Sequence, residues 1–552
     1  MKKLQLLAIL SCLPFAAAQA QITFNSGVSL PYGGEIVSYS NGQLLTTNSG
    51  NGSHGVQSYG LQSNGSLTSG ISIDLGSVFG ANLTSSITSV YADARGFGVA
   101  SIVPTAKTAT DFGRIAFFDL SSGSILKTLD VGYHPDSVSM TPDGTKLLVA
   151  NEGEYGSTNT TAESFARAGS VSVVNLSGIA NAAGLSALTS SNVNTYDFSA
   201  GNLGSGVSLQ GVRDNMLATN NATTSAGFAN IEAEYIAPTN DKAYVTLQEN
   251  NAIAVLDLAS GKYEAIHKLG TITQTVDASD KDGASNGKLI AIDDTLKGLP
   301  MPDTMVLFTK NGTALLATAN EGDGRGDDGD FATGSSLTAN MTAAVAATAT
   351  NTGIGALKLL KDQGQDADGK IADPTMLGTR SFSLWNATTG ERVFDSGSAI
   401  EQFVASNDPT VFNTNDGVAS KWDTRSDDKG PEPEALAFGR IDGKDYIFVG
   451  AERQNGIFQF DITDLNNVSI VGYFNAITSS ADSGGSFISP ESILFLDAVS
   501  NPSGKNLLVV GFEGTGTNGS VGVFEVVPEP QTYILLGIAA AFLLSRVRRR
   551  AC

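Results

Sequence analysis

The sequence has almost no cysteine. Its 552 residues include only two, Cys12 near the start and Cys552 at the end, so the long region between them has no internal disulfide. Histidine is nearly as rare, with three residues, which limits catalysis by imidazole bases. A chain of this length buries enough apolar surface to be stable without cross-links. The body of the protein must therefore be stabilised by its core.

The sequence also lacks the common catalytic motifs. It contains no GxSxG nucleophile elbow, no HExxH zinc pair and no P-loop. Residues 514–519 match GxGxxG, but an apolar strand pattern follows them where a dinucleotide site needs a helix. Standard serine hydrolase, zinc protease and nucleotide-binding sites are therefore not indicated.

Positive charge is scarce. The chain has 33 Lys and Arg against 55 Asp and Glu, which gives a formal net charge of -22. Such a surface repels nucleic acids and anionic membranes and attracts divalent cations. We therefore expect no nucleic-acid partner.

A repeated pair of apolar segments runs along the chain. Residues 301–325 show it best, with a Pro-Asp start, a turn at Asn311-Gly312 and a second apolar segment before Asn320-Glu321-Gly322. Two apolar segments around Asn-Gly predict a β-hairpin. Six further copies occur at residues 34–61, 86–120, 134–153, 232–250, 431–453 and 489–514. Repeats of short strands predict an all-β fold, a seven-bladed β-propeller with six or eight blades as alternatives.

The first 20 residues have the pattern of a signal peptide. Lys2 and Lys3 precede an apolar stretch, and the small residues around Ala20 form a cleavage site. We predict that signal peptidase removes residues 1–20, that the mature chain is exported, and that a propeller domain spans residues 21–526.

The last 26 residues, 527–552, combine three features. Pro528, Glu529 and Pro530 precede an apolar run at residues 533–544, and four arginines follow it. The run has 12 residues, fewer than the roughly 20 of a stable span. The tail resembles the PEP-CTERM sorting signal, which implies a hydrophobic sorting helix, transient membrane anchoring and processing by an exosortase-type enzyme. A plain membrane anchor is the alternative.

The body of the chain contains several unusual segments. They are DASDKDG at 277–283, GLPMPD at 298–303, ANEGDGR at 319–325, RSDDKGPEPEAL at 425–436 and FVGAERQNGIFQFDI at 448–462. In these segments the chain resembles the choice-of-anchor I domain family, which implies a propeller-like body joined to a surface anchor. Members often carry an alkaline phosphatase-like label, but that label assigns no catalytic residue here.

Most repeats place a carboxylate at the start of the first strand, at the end of the second, or at both. These points lie at the same end of an antiparallel hairpin, so we expect the acids to surround one mouth of the central channel. The residues are Glu35, Asp136, Glu152, Glu234, Glu249, Asp303, Glu321, Glu434, Glu452, Glu491 and Glu513.

Carboxylates at this density suit a hard cation. Oxygen ligands without cysteine or clustered histidine favour Ca²⁺ or Mg²⁺ over zinc. The candidate metal ligands are Asp136, Glu152, Asp303, Glu321, Glu434, Glu452 and Glu491. The candidate counter-charges are His134, Arg325, Arg425 and Arg453. The alternative is that each acid caps backbone N–H groups or pairs with an arginine.

Residues 326–379 interrupt the repeats as an insertion. They contain an Ala/Thr-rich stretch, and residues 353–364 have the spacing of a short amphipathic helix. Residues 379–397 regain a strand pattern and are predicted to complete the preceding blade. Weak calcium-loop signals occur at Asp366 and Asp368 and around Asp277, Asp280 and Asp282, with solvated turns as the alternative.

Two functional hypotheses remain. In the first, the protein is an exported, cell-surface or matrix-associated propeller that binds a ligand such as an envelope polysaccharide. In the second, a divalent metal at the channel mouth activates water against a phosphomonoester. The candidate catalytic residues are then Glu321, Arg325, Glu434 and Arg453.

Overall fold

The computed structural model describes ten stretches of the chain. They are residues 21–30, 33–50, 52–81, 83–106, 110–153, 167–213, 227–324, 330–476, 487–514 and 518–527. The predicted signal peptide with Ala20 and the predicted tail from Pro528 onward lie outside these residues. Among the described residues, no helix is long and apolar enough to cross a bilayer.

Strands dominate the described residues. The first seventeen are β1 Gln21–Leu30, β2 Val37–Ser40, β3 Gln43–Gly50, β4 Ser53–Leu61, β5 Leu67–Asp74, β6 Thr84–Asp93, β7 Phe97–Pro104, β8 Arg114–Asp119, β9 Ile125–Asp130, β10 Pro135–Met140, β11 Lys146–Asn151, β12 Ser170–Asn175, β13 Val193–Asp197, β14 Ile236–Pro238, β15 Lys242–Leu247, β16 Ala252–Asp257 and β17 Lys262–Lys268. The others are β18 Ile272–Val276, β19 Asp294–Leu299, β20 Met305–Lys310, β21 Thr313–Ala319, β22 Phe331–Thr333, β23 Lys358–Leu360, β24 Thr375–Leu377, β25 Phe382–Asn386, β26 Arg392–Asp395, β27 Pro433–Ile441, β28 Lys444–Ala451, β29 Gly456–Asp461, β30 Ser469–Asn475, β31 Pro490–Leu496, β32 Leu507–Phe512 and β33 Gly519–Val527.

Helices are short. The α-helices are α1 Gly334–Leu337, α2 Ala343–Thr348 and α3 Ala399–Asn407. Short 3₁₀ segments occur at Ala182–Ala187, Ser190–Asn192, Gly227–Asn230, Ala284–Asn286, Thr338–Asn340, Pro409–Val411 and Ala419–Lys421.

Within the described residues, seven four-stranded antiparallel sheets follow one another. Sheets 1 to 4 are β2–β5, β6–β9, β10–β13 and β14–β17. Sheet 5 is β20, β21, β25 and β26, sheet 6 is β27–β30, and sheet 7 is β31–β33 with β1. Strands β25 and β26 complete sheet 5, which confirms the prediction for residues 379–397.

The core lies between neighbouring sheets. Phe117 and Leu147 belong to one apolar cluster between sheets 2 and 3, and Leu148 and Val245 to the next cluster. Each sheet contacts its successor, and sheet 7 contacts sheet 1, so the contacts form a closed ring. The predicted all-β propeller fold is confirmed, and the blade number of the whole chain stays a prediction of seven.

The N-terminal strand closes this ring. Strand β1 pairs antiparallel with β33, from Gln21 opposite Val527 to Leu30 opposite Gly519. Ile22 and Leu30 are buried in the cores at either side of sheet 7. The repeat pattern did not predict this strand.

The hairpin turns follow their local sequence. Asn311 and Gly312 have φ values of 50° and 82°, and Lys310 pairs with Thr313 across them. Positive φ at both central residues is the geometry that Asn-Gly favours in a two-residue hairpin loop. The predicted hairpin at this position is confirmed.

An eighth, five-stranded sheet stands outside the repeat, and it corrects the predicted insertion. Its order is β18-β19-β24-β23-β22, with β19 and β24 parallel. The segment before the fifth hairpin and the segment after it therefore build one sheet, so the insertion is not confined to residues 326–379.

The helix predicted at residues 353–364 is wrong. Leu357, Leu359 and Leu360 are buried in this region, and β23 occupies Lys358–Leu360. The apolar residues enter the core of the extra sheet as part of a strand, in which β23 pairs with β22 and β24. The Ala/Thr-rich stretch forms α2 instead.

Candidate functional site

A β-bulge recurs within the first strand of each sheet or just before it. The pairing register skips one residue between Pro135 and Ser137, between Pro433 and Ala435, and between Pro490 and Ser492. Sheet 2 has the same shift around Thr88, and backbone hydrogen bonds show two residues facing one partner in sheets 1, 4 and 5. A bulge re-aims a side chain, and it does so here at the same place in every sheet.

The residue two positions before the bulge adopts a left-handed conformation in four sheets. These residues are His134, Met301, Glu432 and Ser489, with φ values of 45°, 44°, 53° and 58°. A proline follows each of them and the acidic bulge residue comes next. Such a strained, repeated turn is typical of positions where a side chain must point in one direction.

The seven bulge residues surround one cavity. They are Glu35, Thr88, Asp136, Glu234, Asp303, Glu434 and Glu491, and we call them the inner ring. The cavity has a volume of about 490 Å³, and all seven sheets contribute to its wall. The six acidic members come together as the hairpin geometry predicted, and only sheet 2 supplies a hydroxyl group instead.

The acids at the ends of the second strands form a second tier. Its members are Glu152, Glu249, Glu321, Glu452 and Glu513. Single oxygens of Asp303, Glu321 and Glu434 lie within 4.8 Å of one another, and so do those of Glu434, Glu452 and Glu491. The two tiers therefore meet near sheets 5 to 7.

Basic side chains pair with the second tier. Lys429 Nζ lies 2.6 Å from Glu321, Arg453 lies 2.7 Å from Glu452, and His134 Nδ1 lies 2.5 Å from Glu152. Arg453 also contacts Asp416 and lies 3.8 Å from Glu513. These contacts leave the guanidinium group of Arg453 surrounded by carboxylates.

The inner ring has a different environment. Among the described residues, none of its six acids forms an ion pair. The Oε2 atom of Glu434 is buried and has no hydrogen-bond partner in this part of the chain. Single oxygens of Glu434 and Glu491 lie within 4.8 Å of each other. Neighbouring carboxyl groups at such distances must share protons or a cation.

Burial and mutual repulsion raise the pKa values of these acids. Burial, followed by the charge of Glu513, raises the pKa of Glu35 to about 7. Burial and Glu152 raise the pKa of Asp136 to about 7. The pKa values of four others are raised well above their usual values by burial first and neighbouring carboxylates second, namely Glu234, Asp303, Glu434 and Glu491.

The second tier shows the effect of its cations. Burial raises the pKa of Glu452 to about 7, although Arg453 beside it acts in the opposite direction. Burial would lower the pKa of Lys429, but Glu321 and Asp323 raise it above its usual value. Lys429 is therefore a firmly charged ammonium group at the mouth.

The sequence patterns missed some residues of the site. Lys429 and Glu432 lie in the segment RSDDKGPEPEAL at residues 425–436. Glu432 forms ion pairs with Arg425, Lys429 and Arg453. The signal was the Gly-Pro-Glu-Pro-Glu motif, in which only the second glutamate follows the hairpin pattern. Arg325, a predicted counter-charge and catalytic candidate, lies outside the described residues.

The weak calcium-loop signals have separate outcomes. Asp366 accepts hydrogen bonds from the backbone N–H groups of Asp368 and Lys370, both at 2.9 Å, as a solvated turn does. Asp280 pairs with Lys281 at the surface, whereas Asp277 is buried. The first loop therefore contains no convergent ligand set among the described residues.

Comparisons with known proteins identify relatives of this chain. A family model described as Choice-of-anchor I domain matches residues 35–465. Gigasin-3a from Magallana gigas is 32% identical over 189 residues, which cover 31% of this chain and 64% of that protein, so the match spans less than two thirds of the relative.

The solved structures that match this chain do so at low identity and with TM-scores below 0.5. Hydrazine synthase from Kuenenia stuttgartiensis has a TM-score of 0.43 at 9% identity, covering 89% of this chain and 95% of that one. The Cps50 (Swd1) β-propeller domain from Myceliophteria thermophila has a TM-score of 0.42 at 9% identity, covering 91% and 99%.

Proposed function

Because this chain belongs to the choice-of-anchor I domain family, we propose that it is an exported, surface-associated propeller that binds its ligand through a divalent cation at the inner ring. One contrast supports the proposal. The second-tier acids Glu152, Glu321 and Glu452 have basic partners, whereas the inner-ring acids have none among the described residues. Buried carboxylates without counter-charge are stabilised by a bound cation.

Calcium or magnesium fits the donor set. The candidate ligands are carboxylate oxygens, since the hydroxyl group of Thr88 at the ring position of sheet 2 donates to the carbonyl oxygen of Pro135. Oxygen-only sites bind these hard cations. A cation held at the mouth with open coordination positions would bind anionic sugars, so an envelope polysaccharide with carboxylate groups is the partner class that we propose.

A phosphomonoesterase, as in the alkaline phosphatase-like label, is the less favoured function. Such an enzyme needs a free cationic group to hold the phosphoryl oxygens. Arg453 is engaged by Asp416 and Glu452, and Lys429 by Glu321. The geometry of the described residues therefore favours binding over hydrolysis.

The chain ends of the propeller are consistent with the proposed processing. Gln21 directly follows the predicted signal cleavage site and pairs with Val527, which directly precedes Pro528. Signal peptidase would therefore cut before β1, and an exosortase-type enzyme acting near residues 528–530 would cut after β33. Both cuts would leave the closing strand pair intact.

Calcium is expected to stabilise the purified protein spanning residues 21–527. At a hundred times its dissociation constant, a cation that binds only the folded state adds about 2.7 kcal/mol to the free energy of unfolding. The double variant Glu434→Gln/Glu491→Gln should lose most of this gain, because it removes two adjacent ring carboxylates. Urea unfolding with and without chelator measures the difference.

The control is Glu391→Gln, since Glu391 is exposed between β25 and β26 and does not line the ring cavity. Equal stabilisation of the double variant and of the unchanged protein would contradict cation binding at the inner ring. The same preparations are assayed for phosphomonoesterase activity. Hydrolysis that disappears with chelator and in the double variant would contradict the proposed binding function and support the enzymatic one.

A further inference from the structure

The second tier does not surround the whole mouth of the ring cavity, which is the cavity lined by the inner ring. Its acids belong to sheets 3 to 7, from Glu152 in sheet 3 to Glu513 in sheet 7. In sheets 1 and 2 the second strands end in Asn48-Ser49-Gly50 and Ile102-Val103-Pro104, without an acid. The ring residue of sheet 2 is the uncharged Thr88. The second tier therefore has a gap at sheets 1 and 2.

A second cavity lies at this gap. It has a volume of about 480 Å³, and besides the two residues named next it is lined by Asp74, Gly76, Ser77, Ala81 and Thr84. Gly52 and His54 line both this cavity and the ring cavity. The two cavities therefore adjoin, and we call the second one the side cavity.

The strand directions place the side cavity on the mouth face of the propeller. In an antiparallel four-stranded sheet, the first and third strands begin at the face where the second and fourth end. Strand β4, the third of sheet 1, begins beside His54, and β5, the fourth, ends at Asp74. Strand β6, the first of sheet 2, begins at Thr84. A ligand held at the inner ring can therefore extend sideways into the side cavity.

Gly52 and His54 border the passage between the two cavities. Gly52 has a φ of 84°, and a Cβ atom added there would meet no other atom within 4 Å, so nothing narrows the passage at this point. The buried Nδ1 atom of His54 has no hydrogen-bond partner among the described residues. Since buried polar atoms are nearly always paired, His54 has hydrogen-bonding capacity that the fold does not use.

The side cavity suits hydroxyl groups better than charged groups. Neither cavity has lysine or arginine among its described lining residues, so an anion can be held only through a bound cation. Asp74 is exposed, and its Oδ1 atom accepts a hydrogen bond of 2.8 Å from the N–H group of Gly76. Its carboxylate, the imidazole of His54 and the hydroxyl group of Ser77 can all form hydrogen bonds with sugar hydroxyl groups.

We propose that the side cavity binds an uncharged sugar that is linked to the anionic sugar at the inner ring. The ligand is then a polysaccharide in which carboxylate-bearing sugars are joined to neutral ones. This inference rests on the proposed function, in which a cation at the ring holds the anionic sugar. The cavity volumes of about 490 and 480 Å³ both lie in the range of ligand pockets, so together they can hold more than one sugar unit.

Sugars of two lengths separate the two cavities. The probes are glucuronate, which carries only the anionic sugar, and the hyaluronan tetrasaccharide, in which glucuronate alternates with uncharged N-acetylglucosamine. Isothermal titration calorimetry in calcium should show that the tetrasaccharide binds at least about tenfold more tightly than glucuronate, because its neutral sugar forms additional hydrogen bonds in the side cavity.

Two variants should remove this difference in affinity. Ser77→Trp places an indole in the side cavity from an exposed position, so folding should be unaffected. His54→Ala removes the imidazole between the two cavities. The matched control is Ser177→Trp, since Ser177 is exposed in the turn after β12, at the opposite face of the propeller. The control should bind both sugars as the unchanged protein does.

The ring variant Glu434→Gln/Glu491→Gln distinguishes failure of the two proposals. If calcium-dependent glucuronate binding is lost in this variant, but the tetrasaccharide binds no more tightly or is unaffected by Ser77→Trp and His54→Ala, the side-cavity proposal is overturned and the ring proposal stands. If the ring variant still binds the tetrasaccharide and Ser77→Trp abolishes that binding, the ring proposal fails and the side cavity stands. Absence of binding by both sugars would contradict both.

Discussion

A protein that begins at residue 31 is expected to lose the closed ring and most of its stability. The deletion removes β1, whose ten residues pair with β33 from end to end. Exposing the edge of β33 and removing the buried side chains of Ile22 and Leu30 costs on the order of 5 kcal/mol or more. This loss is comparable to the whole net stability of many domains. Urea unfolding followed by circular dichroism measures it.

Two comparisons show that the strand pairing causes the loss. A synthetic peptide of residues 21–30 should restore stability to the truncated protein, because it can add to the free edge of β33. Within the full chain, Ile22→Asp should destabilise strongly and Thr23→Asp only slightly, since Ile22 is 6% exposed and Thr23 faces solvent. A truncated protein that unfolds at the same urea concentration as the full one would contradict ring closure by β1.

The sequence predicts the inner part of each sheet well. The hairpins are encoded locally, as Asn311-Gly312 and Asp442-Gly443 show with two successive positive φ values each. The position of the acids follows from hairpin geometry, so the meeting of Asp136, Glu434 and Glu491 could be predicted. The bulge that turns these side chains toward the axis of the channel could not be predicted, since a register shift depends on the partner strand.

Contacts between distant segments account for what the sequence did not predict. Strand β19 pairs with β24 across more than seventy residues of chain, and neither segment has a strong strand pattern alone. Residues 353–364 have helical spacing, yet burial against the extra sheet decided their conformation. Lys429 reaches Glu321 from a loop whose path no periodicity encodes.

The arrangement of the core explains why an acidic channel is tolerated. Apolar side chains pack between neighbouring sheets and leave the axis to polar groups. The stability of the propeller therefore does not require an apolar channel, and the repeated bulge can direct six carboxyl groups to the centre. The mutual repulsion of these carboxylates destabilises the folded protein, and a bound cation or bound protons must offset that destabilisation.

Stability without metal is expected to fall as the pH rises. Glu35, Asp136 and Glu452 have folded-state pKa values of about 7, above the usual 4.5, 3.8 and 4.5. At pH values between the unfolded-state and folded-state pKa values, the folded protein holds protons that the unfolded chain has released. The free energy of unfolding therefore decreases as the pH rises toward 7. In chelator, the free energy of unfolding should be on the order of 3 kcal/mol lower at pH 8 than at pH 5.

Calcium and the ring variant distinguish this cause from others. Calcium should recover most of the loss at pH 8, because it stabilises the ionised carboxylates, and should have a smaller effect at pH 5, where protons compete with it. Glu434→Gln/Glu491→Gln should flatten the profile in chelator, whereas Glu391→Gln should not. Asp428, Asp445 and Asp461 have lowered pKa values and lose stabilisation only at lower pH, so they do not mask the trend above pH 5. A flat profile in chelator for the unchanged protein would mean that groups of the protein itself neutralise the ring carboxylates. Electrostatic attraction would then not favour cation binding at the ring, which would contradict the proposal.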